Sequence, residues 1–358
     1  MSEGRVRVPA GPPLDDLDAI ERLDPHAARE VLRRFPDQCR EGLGLHPSPP
    51  VRLALPRLVV VAGMGGSAAS GDLLATCLAD RLSVPVLTHR GYGLPALVGP
   101  GALVIAASYS GETVEAVSAF EAAVKAGAAT AAVTRGGRLA ALAARHGAPV
   151  VTLPPGLMPR MALGSLFFPL LGILESAGLP TVPEAEVAEA LETVAALADE
   201  LAPARPVEQN EAKRLALAVG DRVPVVYGGE LTGSVAYRWK TDVEENAKRF
   251  AVAGALPEMN HNEIEAWRAP EADRLQAIFL RDRGEHPDVA RRFAVVRALV
   301  EPVAGGLAEV WSRGEGRLAR LLSLIYLGQW TSYYLALLRG VDPWAVPLLE
   351  EVKRRLRP

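Results

Sequence analysis

Residues 102–117, "ALVIAASYSGETVEAV", join an apolar run directly to a cluster of hydroxyl side chains. The first six residues are apolar without alternation, which is typical of a strand that a parallel sheet buries on both faces. Ser108, Ser110 and Thr113 follow at once, with Gly111 among them. This change of composition predicts a strand, a turn and the N-terminus of a helix, in that order.

The same order of strand, turn and helix recurs along the chain. Further apolar runs predict strands within 57–80, 84–91, 129–137, 148–156, 222–250, 274–282 and 307–316. Helical patterns occupy 14–45, 183–220 and 316–339. The alternation predicts an α/β protein with two doubly wound, parallel-sheet, flavodoxin-like domains in tandem. We place the boundaries at 1–50 (N-terminal helical segment), 51–182 (first domain), 183–220 (helical linker) and 221–358 (second domain with C-terminal helices).

Composition and charge exclude several classes of protein. The 358 residues, 49% of them hydrophobic, are enough for two domains. A net charge of -3 offers no electrostatic basis for binding nucleic acid. We expect no membrane span, since the apolar run 166–174 is short and contains Pro169, and no signal peptide. Cys39 and Cys77 have the spacing of neither a metal site nor a disulfide framework, so we expect buried thiols and a cytoplasmic protein.

A glycine-rich turn, "GMGGSA" (63–68), lies between the first predicted strand and its helix. Gly63, Gly65 and Ala68 match the dinucleotide-binding fingerprint. That fingerprint also needs an acidic residue at the end of the following strand, where this chain has His89 and Arg90. An arginine there is compatible with the 2′-phosphate of NADP. The glycines are equally compatible with tight packing of a strand against a helix.

The hydroxyl cluster at 108–113 favours a different ligand. Backbone N–H groups at a helix N-terminus attract an anion, and three hydroxyls add further donors. A helix cap explains one hydroxyl but not three with a glycine among them. Neither loop contains the Gly-Lys-Ser/Thr sequence of a nucleotide site with Mg²⁺. The two loops therefore predict a site for one phosphate monoester, held by neutral donors at the ends of two strands.

These two loops, "GMGGSAASGDLL" and "SYSGETVEAV", resemble the sugar isomerase (SIS) domain, whose serine-rich loop binds phosphosugars. Three more specific motifs resemble the bifunctional phosphoglucose/phosphomannose isomerase family, and the resemblance covers the chain from about residue 50. They are "PPGLMPRMALGSLFFPLL" (154–171), "EENAKRFAVAGALPEMNHNEIEAW" (244–267) and "SLIYLGQWTSYYLALLRGVDP" (323–343). The resemblance implies two SIS domains, a phosphosugar substrate, no metal or redox cofactor, and a homodimer. It also implies a role in glycolysis and gluconeogenesis.

An aldose–ketose isomerase must open the sugar ring, move a proton between C1 and C2, and stabilise the enediolate. Glu244 and Glu245 are adjacent on a predicted helix and point about 100° apart, so we expect only one to face a substrate. The resemblance favours Glu245 as the base. It also implies that His261 opens the ring, reaching the site from the partner subunit, and that Arg160 stabilises the enediolate.

The remaining candidate residues also follow from the resemblance. It implies phosphate contacts at Gly66, Ser67, Ser108, Ser110 and Thr113. Ser332 and Arg339 lie two turns apart on one helix face, and we expect them to line the site. The second domain's loop, "GGELTGSVAYRWK", lacks a run of hydroxyls, so we expect no second phosphate there.

The sequence therefore predicts a cytoplasmic, homodimeric isomerase that interconverts glucose 6-phosphate and fructose 6-phosphate, and also mannose 6-phosphate. Three alternatives stay open at this point. They are a non-catalytic sugar-phosphate-binding SIS regulatory protein, a dinucleotide-dependent oxidoreductase, and an isomerase of the same architecture acting on a pentose or amino sugar.

Overall fold

The computed structural model describes residues 14–51, 53 and 55–356, which form two compact units with one parallel sheet each. Sheet A contains β1 (Leu58–Ala62), β2 (Val86–His89), β3 (Ala102–Ser108), β4 (Ala129–Thr134) and β5 (Val150–Thr152). Sheet B contains β6 (Val223–Gly228), β7 (Val252–Ala255), β8 (Leu275–Arg281) and β9 (Gly306–Trp311). The α-helices are α1 (Leu17–Leu23), α2 (Ala28–Arg33), α3 (Phe35–Leu43), α4 (Gly65–Cys77), α5 (Val114–Lys125), α6 (Gly137–Arg145), α7 (Leu163–Ser176), α8 (Glu184–Glu200), α9 (Glu211–Val219), α10 (Gly233–Ala247), α11 (Pro287–Val300), α12 (Arg317–Leu338) and α13 (Pro347–Arg355).

Sheet A has the strand order β2-β1-β3-β4-β5, and every neighbouring pair is parallel. This is the flavodoxin-like order, in which the strand sequence reverses between β1 and β3. Those two central strands are fully buried and lie side by side, with Ala62 opposite Ala106. Ligands of such sheets bind outside the carboxyl ends of the strands at this reversal, which is where both predicted loops lie.

Helices cover both faces of sheet A. On one face α4 packs closely, because Gly71 leaves room for Val61 and Thr88; a Cβ at Gly71 would lie 2.9 Å from each of those side chains. On the other face, Val60 and Val104 pack with Ala123 of α5. The predicted doubly wound α/β fold is therefore confirmed.

Sheet B has the order β7-β6-β8-β9 and is also parallel. Phe279 of β8 contacts Phe293 of α11, with ring centroids 5.5 Å apart, inside the core of this unit. Strand β7 was not predicted from the sequence. It has only four residues, lies at the edge of the sheet and buries none of them fully.

Helix α12 corrects the expectation that no segment reaches transmembrane length. Its 22 residues are long and apolar enough to cross a membrane, but 94% of the most apolar window is buried inside the protein. This burial is typical of a core helix. Helix α12 was predicted as the helical pattern 316–339, whereas the bounds of α13, which follows it, were not predicted.

The compact units do not follow the predicted domain boundaries. Unit A contains sheet A and residues 34–194 and 314–321, whereas unit B contains sheet B and the described residues of 1–33, 195–313 and 322–358. Within unit A, Gln38 of α3 donates a hydrogen bond to Met161 O (2.8 Å). Within unit B, Tyr326 donates to Leu32 O (2.8 Å). The predicted N-terminal segment 1–50 is thus shared between the units, and its residues 1–13 lie outside the described residues.

Both cysteines are buried free thiols, as the sequence predicts. Burial raises the pKa of Cys77 to about 12, and it raises the pKa of Cys39 well above its usual range. A thiol of such high pKa carries almost no thiolate at neutral pH and is therefore unreactive.

Candidate active site

The glycine turn after β1 brings backbone N–H groups to the carboxyl edge of sheet A. Gly63 passes so close to β3 that a Cβ would lie 2.7 Å from Ala107 O. Gly65 has a φ of 53°, in the left-handed region that glycine adopts most easily. Helix α4 begins there, and Ser67 lies in its first turn with only 4% of its surface exposed. The turn therefore presents a helix N-terminus and a serine to the point where the strand order reverses.

The hydroxyl loop after β3 is compact and bonded within itself. Ser108 Oγ lies 2.8 Å from Thr113 Oγ1 and accepts a hydrogen bond from Gly111 N (3.1 Å). Ser110 Oγ accepts from Glu112 N (3.2 Å). Thr113 occupies the N-cap position of α5 without capping it through its side chain. Its hydroxyl is therefore directed into the loop, where an anion at the helix N-terminus would meet it.

A neighbouring turn holds the hydroxyl loop in place. Gly111 has a φ of 74°, and a Cβ there would lie 1.8 Å from Gly136 O, so only glycine fits. Glu112 accepts a hydrogen bond from Arg138 N (3.0 Å), at the N-terminus of α6. The one carboxylate of the loop is thus bonded to another helix, and neutral donors remain to face a phosphate.

The structure weakens the dinucleotide alternative. His89 ends β2, as expected, and Arg90 follows it. The Arg90 guanidinium forms an ion pair with Asp72 of α4, with an NH1-to-Oδ1 distance of 3.2 Å. A cation already paired in this way is poorly suited to bind a 2′-phosphate.

Arg160 lies next to the phosphate loops within unit A. It belongs to a short 3-10 helix, Pro159–Met161, and is only 3% exposed. A Cβ on Gly66 would lie 2.5 Å from Pro159 O and 3.2 Å from Arg160 Cα. The first turn of α4 thus packs directly on the backbone that carries Arg160, which places a buried cation beside the predicted phosphate site but outside its loops.

The two adjacent glutamates of α10 have different surroundings. Lys240 Nζ contacts both carboxylate oxygens of Glu244, at 2.8 and 2.6 Å, one helical turn away. Glu245 is half-buried and points to a different side of the helix. The ion pair gives Glu244 a structural role, and Glu245 stays the candidate base because the family motif favours it.

Ser332 and Arg339 contact the last turn of α10. Ser332 is 0% exposed, and its hydroxyl accepts from Asn246 Nδ2 (2.9 Å) and donates to Gln329 O (2.8 Å). Arg339 Nε donates to Ala247 O (3.0 Å). The Ser332 hydroxyl thus forms two hydrogen bonds within the protein, and its expected lining role stays a prediction. In this structure the two residues hold the turn that carries Glu245.

His261 lies on the exposed 3-10 helix Glu258–His261, which follows β7. Helix α10 runs from the carboxyl edge of sheet B back to its amino edge, since it connects two parallel strands. From Gly233 to Glu245 the axis advances about 18 Å. Glu245 therefore lies toward the amino edge, whereas His261 follows the carboxyl edge of the same sheet. Within unit B the structure keeps these two predicted catalytic residues apart.

Sequence reasoning missed two informative residues. Tyr109, between the two loop serines, is 4% exposed and bonds through its hydroxyl to the segment before Arg160. Its position directly after a buried strand, among polar residues, was the available signal. Lys240, four residues before Glu244, could have assigned that glutamate to an ion pair from spacing alone.

Comparisons with known proteins agree with the motifs. Residues 208–356 match the model of the bacterial phospho-glucose isomerase C-terminal SIS domain. A bifunctional phosphoglucose/phosphomannose isomerase of Caldicellulosiruptor bescii is 39% identical over 83% of this chain and 89% of its own. A D-glucosamine-6-phosphate 4-epimerase of Sulfolobus acidocaldarius is 30% identical over 61% of this chain and 66% of its own.

Solved structures support the fold. A crystal structure of a glucose-6-phosphate isomerase-like protein from Thermus thermophilus covers 96% of this chain and 99% of its own, with a TM-score of 0.65 and 23% identity. At 23% sequence identity, this structural similarity supports the fold alone. The family follows from the relatives that are 30% or more identical over most of both chains. The chain belongs to the bifunctional phosphoglucose/phosphomannose isomerase family, and it is an isomerase of sugar phosphates.

Proposed function

We propose that the protein interconverts glucose 6-phosphate and fructose 6-phosphate and also accepts mannose 6-phosphate. The observation that carries this proposal is the packing of the Arg160 backbone on Gly66 in the first turn of α4. This contact brings the backbone of a buried arginine next to the helix N-terminus that we propose as part of a cradle of neutral donors. Neutral donors suit the phosphate, and a separate cation suits the charge that develops on the sugar oxygens.

The phosphate group of the substrate binds between the two loops. Backbone N–H groups at the starts of α4 and α5 provide donors, and the helix dipoles favour the anion. The contacting residues are those implied by the family motif: Gly66, Ser67, Ser108, Ser110 and Thr113. This arrangement holds the substrate by a group that takes no part in the reaction, so the reacting carbons can be positioned accurately.

Glu245 is the base that moves the proton. Starting from the open-chain aldose, its carboxylate takes the proton from C2, and the electron pair moves onto O1, which gives the enediolate. A proton then passes from O2 to O1, and the same carboxyl returns its proton to C1, so that O2 becomes the ketone oxygen. The family motif favours Glu245 over Glu244, and the pairing of Glu244 with Lys240 gives that residue a structural role.

Arg160 stabilises the enediolate. Its charge lies close to the oxygens that become negative, and its burial strengthens the interaction. Glucose 6-phosphate and mannose 6-phosphate differ at C2, which is planar in the enediolate. One intermediate therefore serves both sugars, and protonation on either face of C2 yields one or the other.

His261 opens the ring and acts in the site of a second copy, in a cytoplasmic homodimer. The separation of His261 from Glu245 in unit B supports this, because one sheet holds them toward opposite edges. An exposed histidine on a short turn is also free to enter a neighbouring molecule. The products place the enzyme in glycolysis and gluconeogenesis.

The test is turnover of fructose 6-phosphate in EDTA, with glucose 6-phosphate and mannose 6-phosphate each read through a coupled enzyme. Among the described residues no group of three or more His, Cys, Asp or Glu side chains is arranged to hold a metal ion. The proposal therefore expects the same rate with and without EDTA. Glu245→Gln should lower kcat by roughly 10²- to 10⁴-fold, whereas Glu244→Gln, its matched control, should stay near the wild type.

Other outcomes would favour the alternatives. A rise in melting temperature with fructose 6-phosphate, without turnover, would indicate a regulatory sugar-phosphate-binding protein. Protection by NAD(H) or NADP(H) would indicate an oxidoreductase. The similarity to a glucosamine-6-phosphate epimerase makes glucosamine 6-phosphate the amino sugar to include, and a preference for it would overturn the proposed substrate.

A further inference from the structure

The segment that leads from β5 to Arg160 is tied to the hydroxyl loop by one side chain. Tyr109 donates a hydrogen bond to Pro154 O (2.7 Å) and accepts one from Leu157 N (3.0 Å). The tyrosine itself is 4% exposed, whereas the residues between its two partners, Pro155 and Gly156, are exposed. The hydroxyl thus closes a short exposed loop by bridging two of its backbone groups.

Other contacts hold the two ends of this segment. At its start, Leu153 N donates to Thr134 O (3.0 Å). At its end, Gly66 packs on the backbone of Pro159 and Arg160, and Gln38 donates to Met161 O (2.8 Å). Tyr109 therefore holds the middle of the approach to Arg160, and Gln38 holds the exit from it.

Tyr109 is itself part of the hydroxyl loop that we propose to bind phosphate. It lies between Ser108 and Ser110, and its own carbonyl accepts a hydrogen bond from Arg135 N (3.1 Å). A phosphate bound by the flanking serines would restrain the backbone on both sides of Tyr109. That restraint would pass through the rigid ring to the loop before Arg160, within one compact unit.

We propose that Tyr109 is a positioning residue, which couples occupation of the phosphate loop to the placement of Arg160. This inference rests on the proposed role of Arg160 in the isomerase reaction. The hydroxyl touches neither the phosphate nor the sugar. It sets the position of the Arg160 turn, so that its loss affects the chemical step rather than phosphate binding.

The experiment is a double-mutant cycle of Tyr109→Phe and Arg160→Met, with Tyr92→Phe as the control. Tyr92 is an exposed tyrosine of the same unit, and the structure gives its hydroxyl no role. Tyr109→Phe should lower kcat by about tenfold, since small displacements of a catalytic group have effects of this size. The inhibition constant of inorganic phosphate should stay within about twofold, because the hydroxyl donates nothing to the anion.

The cycle separates the inference from the proposed function. In the Arg160→Met background, Tyr109→Phe should have no further effect, since both act on one interaction. If the two substitutions lower kcat by factors that multiply in the double variant, the coupling is overturned. An unchanged kcat in Tyr109→Phe, or a weaker phosphate affinity at unchanged kcat, would overturn it as well. Full turnover in Arg160→Met alone would instead overturn the proposed role of Arg160, and the coupling with it.

A measurement on the wild-type protein covers the case in which Tyr109→Phe folds poorly. Hydrogen exchange in a peptide that spans residues 154–163 should slow when inorganic phosphate saturates the loop. The amide of Leu157, bonded to Tyr109, lies in this peptide. Exchange that is unaffected by phosphate would show that the loop and the Arg160 segment are uncoupled.

Discussion

The carboxyl edges of the two sheets have the same strand–loop–helix plan but differ in how their polar groups are used. At sheet A the hydroxyls of the loop bond to one another, and helix N-termini are left to meet a ligand. At sheet B, Thr232 Oγ1 accepts from Gly229 N and donates to Leu280 O, both at 2.7 Å. The Thr232 hydroxyl of sheet B thus bonds to two buried backbone groups, whereas the Thr113 hydroxyl of sheet A bonds to another hydroxyl, that of Ser108.

The charged residues at the carboxyl edges of the two sheets differ in the same way. Arg281, at the end of β8, stacks between the rings of Phe293 and Trp311, at 4.6 and 4.5 Å, and pairs with Glu285 and Glu309. The cation of this edge is therefore neutralised and enclosed by its own unit. The comparison teaches that the same strand–loop–helix arrangement can form a binding site or only stabilise the fold. The difference depends on whether its polar and charged side chains are fully paired within their own unit.

The largest contrast is expected between two buried arginines, Arg160 and Arg281. Arg160→Met should lower kcat by roughly 10²- to 10³-fold, the usual cost of removing one group that stabilises a developing oxyanion. Arg281→Met should leave kcat near the wild type and lower stability by about 3 kcal/mol, because it leaves the mostly buried carboxylate of Glu285 without its cation, whereas Glu309 keeps Arg297. Turnover and urea unfolding of both variants measure this contrast. Equal losses of kcat would remove the distinction between the edges.

A second contrast concerns the glycines that begin the helices. In Gly66→Ala the new Cβ would lie 2.5 Å from Pro159 O, so the Arg160 turn must move. In Gly233→Ala, at the start of α10, the new Cβ would meet Ala255 Cβ at 3.4 Å, an ordinary contact. We expect kcat/KM to fall by about 100-fold in the first variant and to change little in the second. A well-folded, fully active Gly66→Ala protein would refute the close packing of α4 on the Arg160 turn.

The N-cap threonines allow the same test with one hydroxyl. Thr113→Val should raise KM for fructose 6-phosphate by about tenfold, because a hydrogen bond to a charged group contributes about 1.5 kcal/mol or more. Thr232→Val should instead lower stability by about 1–3 kcal/mol, since two buried backbone groups lose their partner. Steady-state kinetics and thermal melting distinguish the two. A KM effect in Thr232→Val would mean that the edge of sheet B also faces substrate.

The comparison also explains what the sequence could predict. Strands β1 and β3 and their loops were predictable because these strands are continuously apolar and are followed at once by glycine or hydroxyl residues. Strand β7, "VAGA", was not, since four half-exposed residues at a sheet edge carry no clear pattern. The edge of sheet B was predicted to hold no phosphate for lack of hydroxyls. The structure adds that Thr232, one of the hydroxyl residues of this loop, bonds to the backbone of Gly229 and Leu280.

The site residues also differed in how far the sequence could predict them. Glu245 and Arg160 could be assigned from family motifs, but their surroundings depend on contacts between segments distant in the chain. The burial of Ser332 follows from its bond to Asn246, 86 residues earlier, which no local pattern reveals. Tyr109 was overlooked because its partners, Pro154 and Leu157, contribute only backbone atoms.

The smallest expected effect concerns a charge pair in unit B that resembles Arg281 in serving only the protein. Lys213 Nζ lies 2.9 Å from Asp15 Oδ1, and it also donates to Pro203 O and Arg205 O. This hydrogen bond lowers the pKa of Asp15 below its usual range. Burial lowers the pKa of Lys213 as well and outweighs the attraction of Asp15. The pair therefore stabilises the fold less than the Asp15 shift alone suggests.

The sign of the pH effect follows from Asp15, because Lys213 titrates far above the acid range. A carboxylate with a lowered pKa in the folded state contributes stability above its unfolded pKa, and this contribution is lost as the pH falls through the folded pKa. Asp15 is 45% exposed, so we expect at most about 1 kcal/mol. The difference in unfolding free energy between the wild type and Asp15→Asn should be present at pH 7 and disappear as the pH falls through the folded-state pKa of Asp15, which lies below its ordinary value. Asp273→Asn, at an exposed carboxylate of the same unit, is the control. A difference that persists unchanged in acid would show that Asp15 acts through packing rather than charge.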